Sequence, residues 1–128
     1  MTIQFTVSDV IPATPDDVYG AWLDSDGHSK MTGSPAHAST DVGGKFDAWD
    51  GYISGENLEL DPGRRILQSW RAASYKDSDE DSQIEVIFEV VEGGAKVTLT
   101  HTNVPDDQGS HEPGWTTHYF EPMKAWFG

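Results

Sequence analysis

The sequence predicts an α+β fold in which one curved antiparallel sheet is closed by a long C-terminal helix. Three observations support this prediction. The middle of the chain alternates apolar and polar residues in short runs separated by turn residues, as antiparallel strands do. Two short helical patterns follow an alternating run near the N-terminus, and the stretch Gly114 to Phe127 has helical periodicity. Strands in one block with helices at the ends are typical of a single-sheet α+β protein.

The closing stretch is the element against which the rest is expected to pack. Its large residues are spaced i, i+3, i+4, i+7, i+8 and i+11, which places them on one helical face. A helix this apolar on one side needs a covering surface, and we expect the twisted sheet to provide it. Proline within the stripe predicts a kink between His118 and Pro122. The stripe comprises Trp115, His118, Tyr119, Pro122, Met123 and Trp126, widened by Phe127.

The first third of the chain predicts one strand and two short helices. Ile3 to Ile11 alternates as a half-buried strand does. Thr14 is the expected N-cap of the first helix, since proline and two acids follow it. Asp24 is the expected N-cap of a second helix that runs to about Met31, and Gly33 to Val42 is expected to be a loop.

The remaining strands are expected between residues 45 and 103, joined by short turns as a meander. Asp50-Gly51, Asp61-Pro62-Gly63 and Gly93-Gly94 are turn signals. Gly55 inside a strand predicts a bulge or a close approach of another segment. The predicted strands are Lys45–Asp50, Tyr52–Leu60, Arg65–Ala72, Gln83–Val91 and Ala95–Asn103, with loops at Ser74–Ser82 and Val104–Pro113.

Composition excludes several classes of function. The 128 residues suffice for one domain, which we expect to span residues 1–128. The net charge of -14 disfavours nucleic acid and anionic membrane surfaces as partners, and indicates either a solvated acidic coat suited to high salt or a surface matched to a basic protein. No membrane span or signal peptide is apparent, so we expect a cytoplasmic protein. The absence of cysteine removes thiolate chemistry and disulfides.

Several short motifs resemble those of the activator-of-Hsp90-ATPase homologue 1 (Aha1-like) family. The resemblance lies in their residues and their spacing, and it covers essentially the whole chain. The resemblance rests on Gly43-Gly44-Lys45-Phe46, Asp50-Gly51, Ser54-Gly55-Glu56, Leu60-Asp61-Pro62, Ile66 and Trp70-Arg71. The tail adds Pro105, Gly114-Trp115, Tyr119-Phe120-Glu121, Lys124 and Phe127-Gly128.

The resemblance implies a helix-grip (START-like) fold, with a six- or seven-stranded sheet around the C-terminal helix and an internal cavity. The chain corresponds to the C-terminal domain of the eukaryotic co-chaperones, whose separate N-terminal domain docks on Hsp90. The family tends to have a small residue where this chain has Pro122.

Inward-pointing residues are the candidates for lining that cavity. A mostly apolar pocket with a few polar groups suits a small ligand; the alternative is that the same side chains fill a solid core, because interiors are close-packed. The candidate ligand-binding residues are Trp22, Met31, Phe46, Trp49, Trp70, Phe88, Leu99, His101, Trp115, His118 and Tyr119.

Two of these candidates are histidines on apolar faces. Each is either a satisfied buried histidine or a polar anchor for a ligand, and if both reach one pocket they can bind an acidic ligand or share a proton. The histidines lack metal-binding spacing, so we expect no metal and no cofactor. Asp24-Ser25-Asp26-Gly27 starts like a calcium loop, but it lacks the closing glutamate.

Three functions remain open. The first is a non-enzymatic domain that holds a small apolar or aromatic ligand. The second is a co-chaperone-type module that stimulates an Hsp90-type ATPase. The third is a small cyclase or lyase using the same cavity, for which Glu56, Glu59 or Glu121 would supply a carboxylate. No catalytic fingerprint appears in the sequence, and no catalytic residue is assigned.

Overall fold

A computed structural model describes residues 2–128 and has the predicted α+β architecture. None of the helices in this part of the chain is both long enough and apolar enough to span a membrane. The strands are β1 (Thr2–Ile11), β2 (Lys45–Ala48), β3 (Ile53–Asp61), β4 (Arg65–Ala72), β5 (Ser82–Val91) and β6 (Gly94–Pro105). The helices are α1 (Pro15–Trp22), α2 (Ser25–Thr32), α3 (His111–Trp115) and α4 (Glu121–Phe127), the last two joined by a π turn (Thr116–Phe120).

The six strands form one antiparallel sheet in the order β1-β6-β5-β4-β3-β2. Strands β2 to β6 are a meander, as predicted, and β1 adds to the outer side of β6. The register places buried residues in rows across the sheet, because side chains on one face of neighbouring strands stand opposite each other. One row runs Phe5, His101, Ile84, Gln68 and Asn57.

The core lies between this face of the sheet and the helices. Strand β4 has the predicted bounds, and Ile66, Gln68 and Trp70, which alternate along one side of it, are buried. The alternation of Ile84, Val86, Phe88 and Val90 predicts that these residues face one way along β5. The first three are buried, whereas the side chain of Val90 is 83% exposed. Val90 lies at the end of β5, next to the turn at Gly93, beyond the packed part of the sheet.

Both short helices begin at the predicted caps. The side chain of Thr14 accepts a hydrogen bond from the backbone N–H of Asp17, and that of Asp24 accepts one from Gly27. Each cap satisfies an N–H group that has no partner within its helix. The acidic start of the supposed calcium loop is therefore a helix N-cap.

The first hairpin differs from its prediction in the length of its turn. Strand β2 ends at Ala48, two residues earlier than expected, because Trp49 and Asp50 adopt left-handed φ values of 55° and 57° before Gly51. Left-handed backbone ends a strand, and it is uncommon for residues other than glycine. The turn directs the chain away from the sheet at the point where Trp49 reaches the final helix.

Gly55 marks a close approach, which was one of the two predicted alternatives. A Cβ atom at this position would overlap the carbonyl of Ser69 on β4. The irregularity in the β3–β4 register lies elsewhere, between Asn57 and Glu59.

The final helix begins at His111, three residues before its predicted start. Pro113 lies in the predicted loop but belongs to the first turn of the helix, where proline is tolerated because the N–H groups lack helical partners. The loop after β6 is correspondingly shorter than the predicted Val104–Pro113.

A π turn occupies the middle of this helix, at the position where the sequence predicts a kink. The backbone N–H of Glu121 donates to the carbonyl of Thr116, five residues back. Because this turn contains one extra residue, the buried positions that follow it are shifted by one residue towards the C-terminus. Phe120 and Met123 are fully buried, whereas His118 and Trp126, both predicted on the buried stripe, are exposed. The angle of the predicted kink stays a prediction.

Candidate functional site

A cavity of about 510 Å³ lies between the β2–β3 hairpin, strand β4 and the start of the final helix. This volume falls in the range of small-molecule sites. The cavity opens to solvent at its rim, where Tyr52 and His118 are exposed. Its apolar and aromatic lining consists of Trp49, Tyr52, Ile53, Trp70, Trp115 and Tyr119.

The polar part of the lining comes mainly from the loop before α3 and the first turns of the final helix. It consists of Gln108, Ser110, His111 and His118, with Gly114 between them. Gly114 leaves space, since the nearest atom to a Cβ built there is a ring atom of His118 at 3.7 Å. Trp115 lies four residues after His111, on the same helical face. Extending the predicted stripe back by one turn would therefore have found His111.

His111 is the least satisfied polar side chain of the site. Its Nε2 is buried and has no hydrogen-bond partner, the one such side-chain atom among the described residues. Burial lowers the pKa of His111, which favours the neutral ring. Its ring stacks on that of His101 at 5.9 Å with an interplanar angle of 18°. Buried polar groups are normally paired, so this nitrogen is available to a polar group that enters beside it.

His101, by contrast, is fully buried and saturated with hydrogen bonds. Its Nδ1 accepts from the indole N–H of Trp115 at 3.2 Å, and its Nε2 lies 2.8 Å from the hydroxyl of Ser82. Because Nδ1 accepts, the proton of the neutral ring sits on Nε2 and is donated to Ser82. The Ser82 hydroxyl donates to the carbonyl of Trp70 and lies 3.0 Å from the hydroxyl of Tyr75. Burial, and secondarily the neighbouring His111, lowers the pKa of His101 to about 3.

A second polar network closes the interior side of the cavity. His28 donates from Nδ1 to the carbonyl of Trp22 and accepts from the hydroxyl of Tyr119, both at 2.8 Å. The indole of Trp22 donates to Gln68, whose amide donates to Asn57. Burial lowers the pKa of His28 and raises that of Tyr119, so both side chains are neutral near pH 7. The network joins α1, α2 and the final helix to strands β3 and β4 and fixes the ring of Tyr119.

The eleven predicted ligand-binding residues fall into three groups. Five line the cavity, namely Trp49, Trp70, Trp115, His118 and Tyr119. Trp22, Met31, Leu99 and His101 pack into the core instead. Phe46 and Phe88 border two other surface depressions. His101 and His118 thus do not meet in one pocket.

The depression beside Phe88 is larger, about 1180 Å³, but its chemistry is different. Charged residues of α1 and of the β3–β4 turn line it, among them Asp16, Asp17, Arg64 and Arg65. Small-molecule sites are concave and mostly apolar. The aromatic cavity fits that description better than this charged surface does.

The lining of the aromatic cavity is poor in acid–base chemistry. Within residues 2–128, no aspartate, glutamate, lysine or arginine lines it. The carboxylates considered for a lyase lie elsewhere: Glu59 pairs with Arg65, and Glu56 and Glu121 are exposed. The arrangement can bind and orient a ligand through ring faces and a few hydrogen bonds.

Sequence comparisons with known proteins agree on one family. The family model described as "Activator of Hsp90 ATPase homolog 1-like protein" matches residues 12–128. The Homo sapiens protein named "Activator of 90 kDa heat shock protein ATPase homolog 1" is 27% identical over 128 residues, which covers 99% of this chain but 38% of that protein. A Dictyostelium discoideum homologue of the activator is 30% identical over 117 residues, covering 89% of this chain and 30% of that protein.

Solved structures show the same fold. An HSP90 activator from Plasmodium falciparum superposes with a TM-score of 0.85 at 26% identity, covering 96% of this chain and 94% of that one. The Aha1 dimer from Colwellia psychrerythraea has a TM-score of 0.80 at 20% identity, covering 97% and 96% of the two chains. The second likeness concerns the fold alone.

Proposed function

The chain belongs to the Activator of Hsp90 ATPase homolog 1-like family, and we propose that it is a non-enzymatic binding domain whose cavity holds a small apolar or aromatic ligand. The ligand lies between the β2–β3 hairpin and the start of the final helix. Indole and phenol rings form the walls, and His111, Gln108 and Ser110 offer hydrogen bonds.

The observation that carries this proposal is the volume of about 510 Å³ among aromatic side chains that are already held in place. Trp115 donates to His101, and Tyr119 donates to His28, so neither ring has to reorganise when a ligand enters. Preorganised walls reduce the entropy that is lost on binding.

A neutral fluorescent probe, N-phenyl-1-naphthylamine, tests the proposal directly. Its emission is expected to rise when the full chain is added. The variant Gly114→Leu places a side chain into the cavity from a helical position where leucine is well tolerated, and it should weaken probe binding by at least about tenfold.

Gly20→Leu is the matched control. Gly20 is an exposed glycine of α1, and a Cβ there would meet nothing within 4 Å. This variant should bind the probe as the parent does. Equal binding by the parent and Gly114→Leu, or no binding by the parent across a panel of neutral aromatic compounds, would contradict the proposal.

A co-chaperone role is the second candidate, and the names of the curated relatives favour it. Those relatives are named activators of a 90 kDa heat shock protein ATPase, and this chain spans about 38% of the length of each relative. If the chain carries that activity, adding it to a purified Hsp90-type ATPase will raise the rate of ATP hydrolysis. Stimulation that persists in Gly114→Leu would assign the activity to a surface outside the cavity.

A further inference from the structure

We propose that the preferred ligand of the cavity is a small organic cation, such as a quaternary ammonium compound, rather than a neutral or anionic molecule. This inference rests on the proposed function, because that proposal supplies the binding cavity. Three features support it: the arrangement of the rings, the absence of a competing cation, and the charge of the surrounding protein.

The rings of the cavity form an inclined cluster instead of a parallel stack. Trp70 and Trp115 are inclined by 48° at a centroid distance of 5.6 Å, and Trp115 and Tyr119 by 47° at 4.8 Å. Trp49 is inclined by 73° to Tyr119 at 6.4 Å. A bound molecule is therefore surrounded by aromatic rings of several inclinations. Ring faces carry the negative end of the aromatic quadrupole, which attracts cations.

Nothing positive occupies these ring faces in the described part of the chain. The cation–π pair observed there joins Arg71 to Tyr75, which does not line the cavity, at 5.7 Å. Lysine and arginine are absent from the described lining. Burial lowers the pKa of His111, so this ring does not repel a cation near neutral pH.

The protein as a whole favours cations over anions. It carries 22 acidic against 8 basic residues, a net charge of -14. Asp106, Asp107 and Glu112 flank the lining residues Gln108 and His111 in the chain. A negative potential around a cavity of low polarity raises the local concentration of cations and repels anions.

Choline and 3,3-dimethylbutan-1-ol provide the test, since they have the same shape and differ in charge. Each is titrated against the full chain in 50 mM salt while the tryptophan indole signals are followed by NMR. Choline is expected to bind about tenfold more tightly or better. Raising the salt concentration to 500 mM should weaken choline binding and leave the alcohol unaffected.

Variants of Trp49 separate a ring-face contact from simple burial. Trp49→Leu should lower choline affinity at least fivefold and change alcohol affinity less than about twofold, whereas Trp49→Phe should retain most of the choline binding. Trp126→Leu changes an exposed tryptophan outside the cavity lining and should have no effect on either probe.

Each alternative result is decisive. Equal or tighter binding of the alcohol overturns the cation inference and leaves the cavity proposal intact. The same holds if N-phenyl-1-naphthylamine binds but choline does not. If neither choline, the alcohol nor the naphthylamine binds, the cavity proposal and this inference fail together.

Discussion

The two halves of the final helix meet the sheet in opposite ways. In the C-terminal half, Phe120 and Met123 are fully buried in the core cluster. In the N-terminal half, Gly114 and the left-handed turn at Trp49 and Asp50 leave about 510 Å³ unfilled. The C-terminal half is therefore closely packed, whereas the N-terminal half buries Trp115 and Tyr119 and borders a cavity with the same two rings. The difference depends on a few side chains, so each half can be altered separately.

Removing Phe120 should have the largest effect on stability, because it opens a second void in the filled half. Phe120→Ala is expected to lower the free energy of unfolding by about 3–5 kcal/mol, measured by urea denaturation. Trp126→Ala, which truncates a side chain that is 43% exposed on the same helix, should cost less than about 1 kcal/mol. Similar losses for the two variants would mean that the halves do not differ as described.

His101 of β6, which accepts a hydrogen bond from Trp115 of the N-terminal half, predicts a pH effect of intermediate size. Its pKa is about 3 in the folded protein against an ordinary value of 6.5. As the pH falls, this histidine therefore becomes protonated in the unfolded chain before it does so in the folded protein. The contribution of His101 is fully present above pH 6.5 and is lost as the pH falls towards about 3, by up to about 1.4 kcal/mol per pH unit.

This effect is measured as the slope of the unfolding free energy against pH. In His101→Gln, the slope should correspond to about one proton fewer taken up on unfolding. His111, whose pKa is lowered by burial, contributes in the same direction and remains in that variant. His37→Gln, at an exposed histidine paired with Asp47, is the control for general effects of losing a histidine. An unchanged slope in His101→Gln would show that this ring is not held neutral by burial.

Adding a methyl group in the open half should have the smallest effect, and it should be stabilising. Gly114→Ala places a Cβ 3.7 Å from the His118 ring, an ordinary contact, in a helical position. Removing a helical glycine is expected to raise stability by about 0.5–1 kcal/mol. Gly55→Ala is the opposing control in the same urea assay, because its Cβ would overlap a backbone carbonyl. A destabilised Gly114→Ala would indicate that this part of the helix is closely packed.

Local patterns were sufficient for most of the fold. Strand β4 was predicted with the observed bounds, and Thr14 and Asp24 cap the helices as predicted. These features depend on residues close in sequence, where alternation and capping leave a clear pattern. The family resemblance implied an antiparallel sheet of six or seven strands around a C-terminal helix, and the structure has six.

The cavity was harder to predict because it depends on backbone states that composition does not reveal. The left-handed conformation of Trp49 and Asp50 is unusual for residues other than glycine. His111 was missed because Pro113 obscured the true start of the helix. His118 and Trp126 were misassigned to the buried stripe, and the burial of Phe120 was missed, because a π turn cannot be recognised from a 3.6-residue period.

Pro122 stands in the first turn of α4, directly after the π turn, where proline is tolerated. A regular α-helix counted from Trp115 would bury positions 118, 122 and 126, whereas one extra residue in the count gives Tyr119, Met123 and Phe127, which lie on the inward side here. The turn thus adds one residue to the helix and sets which side chains after it face the core. Deleting one residue from the turn would rotate the segment after it by about 100° relative to the cavity and turn Met123 away from the core.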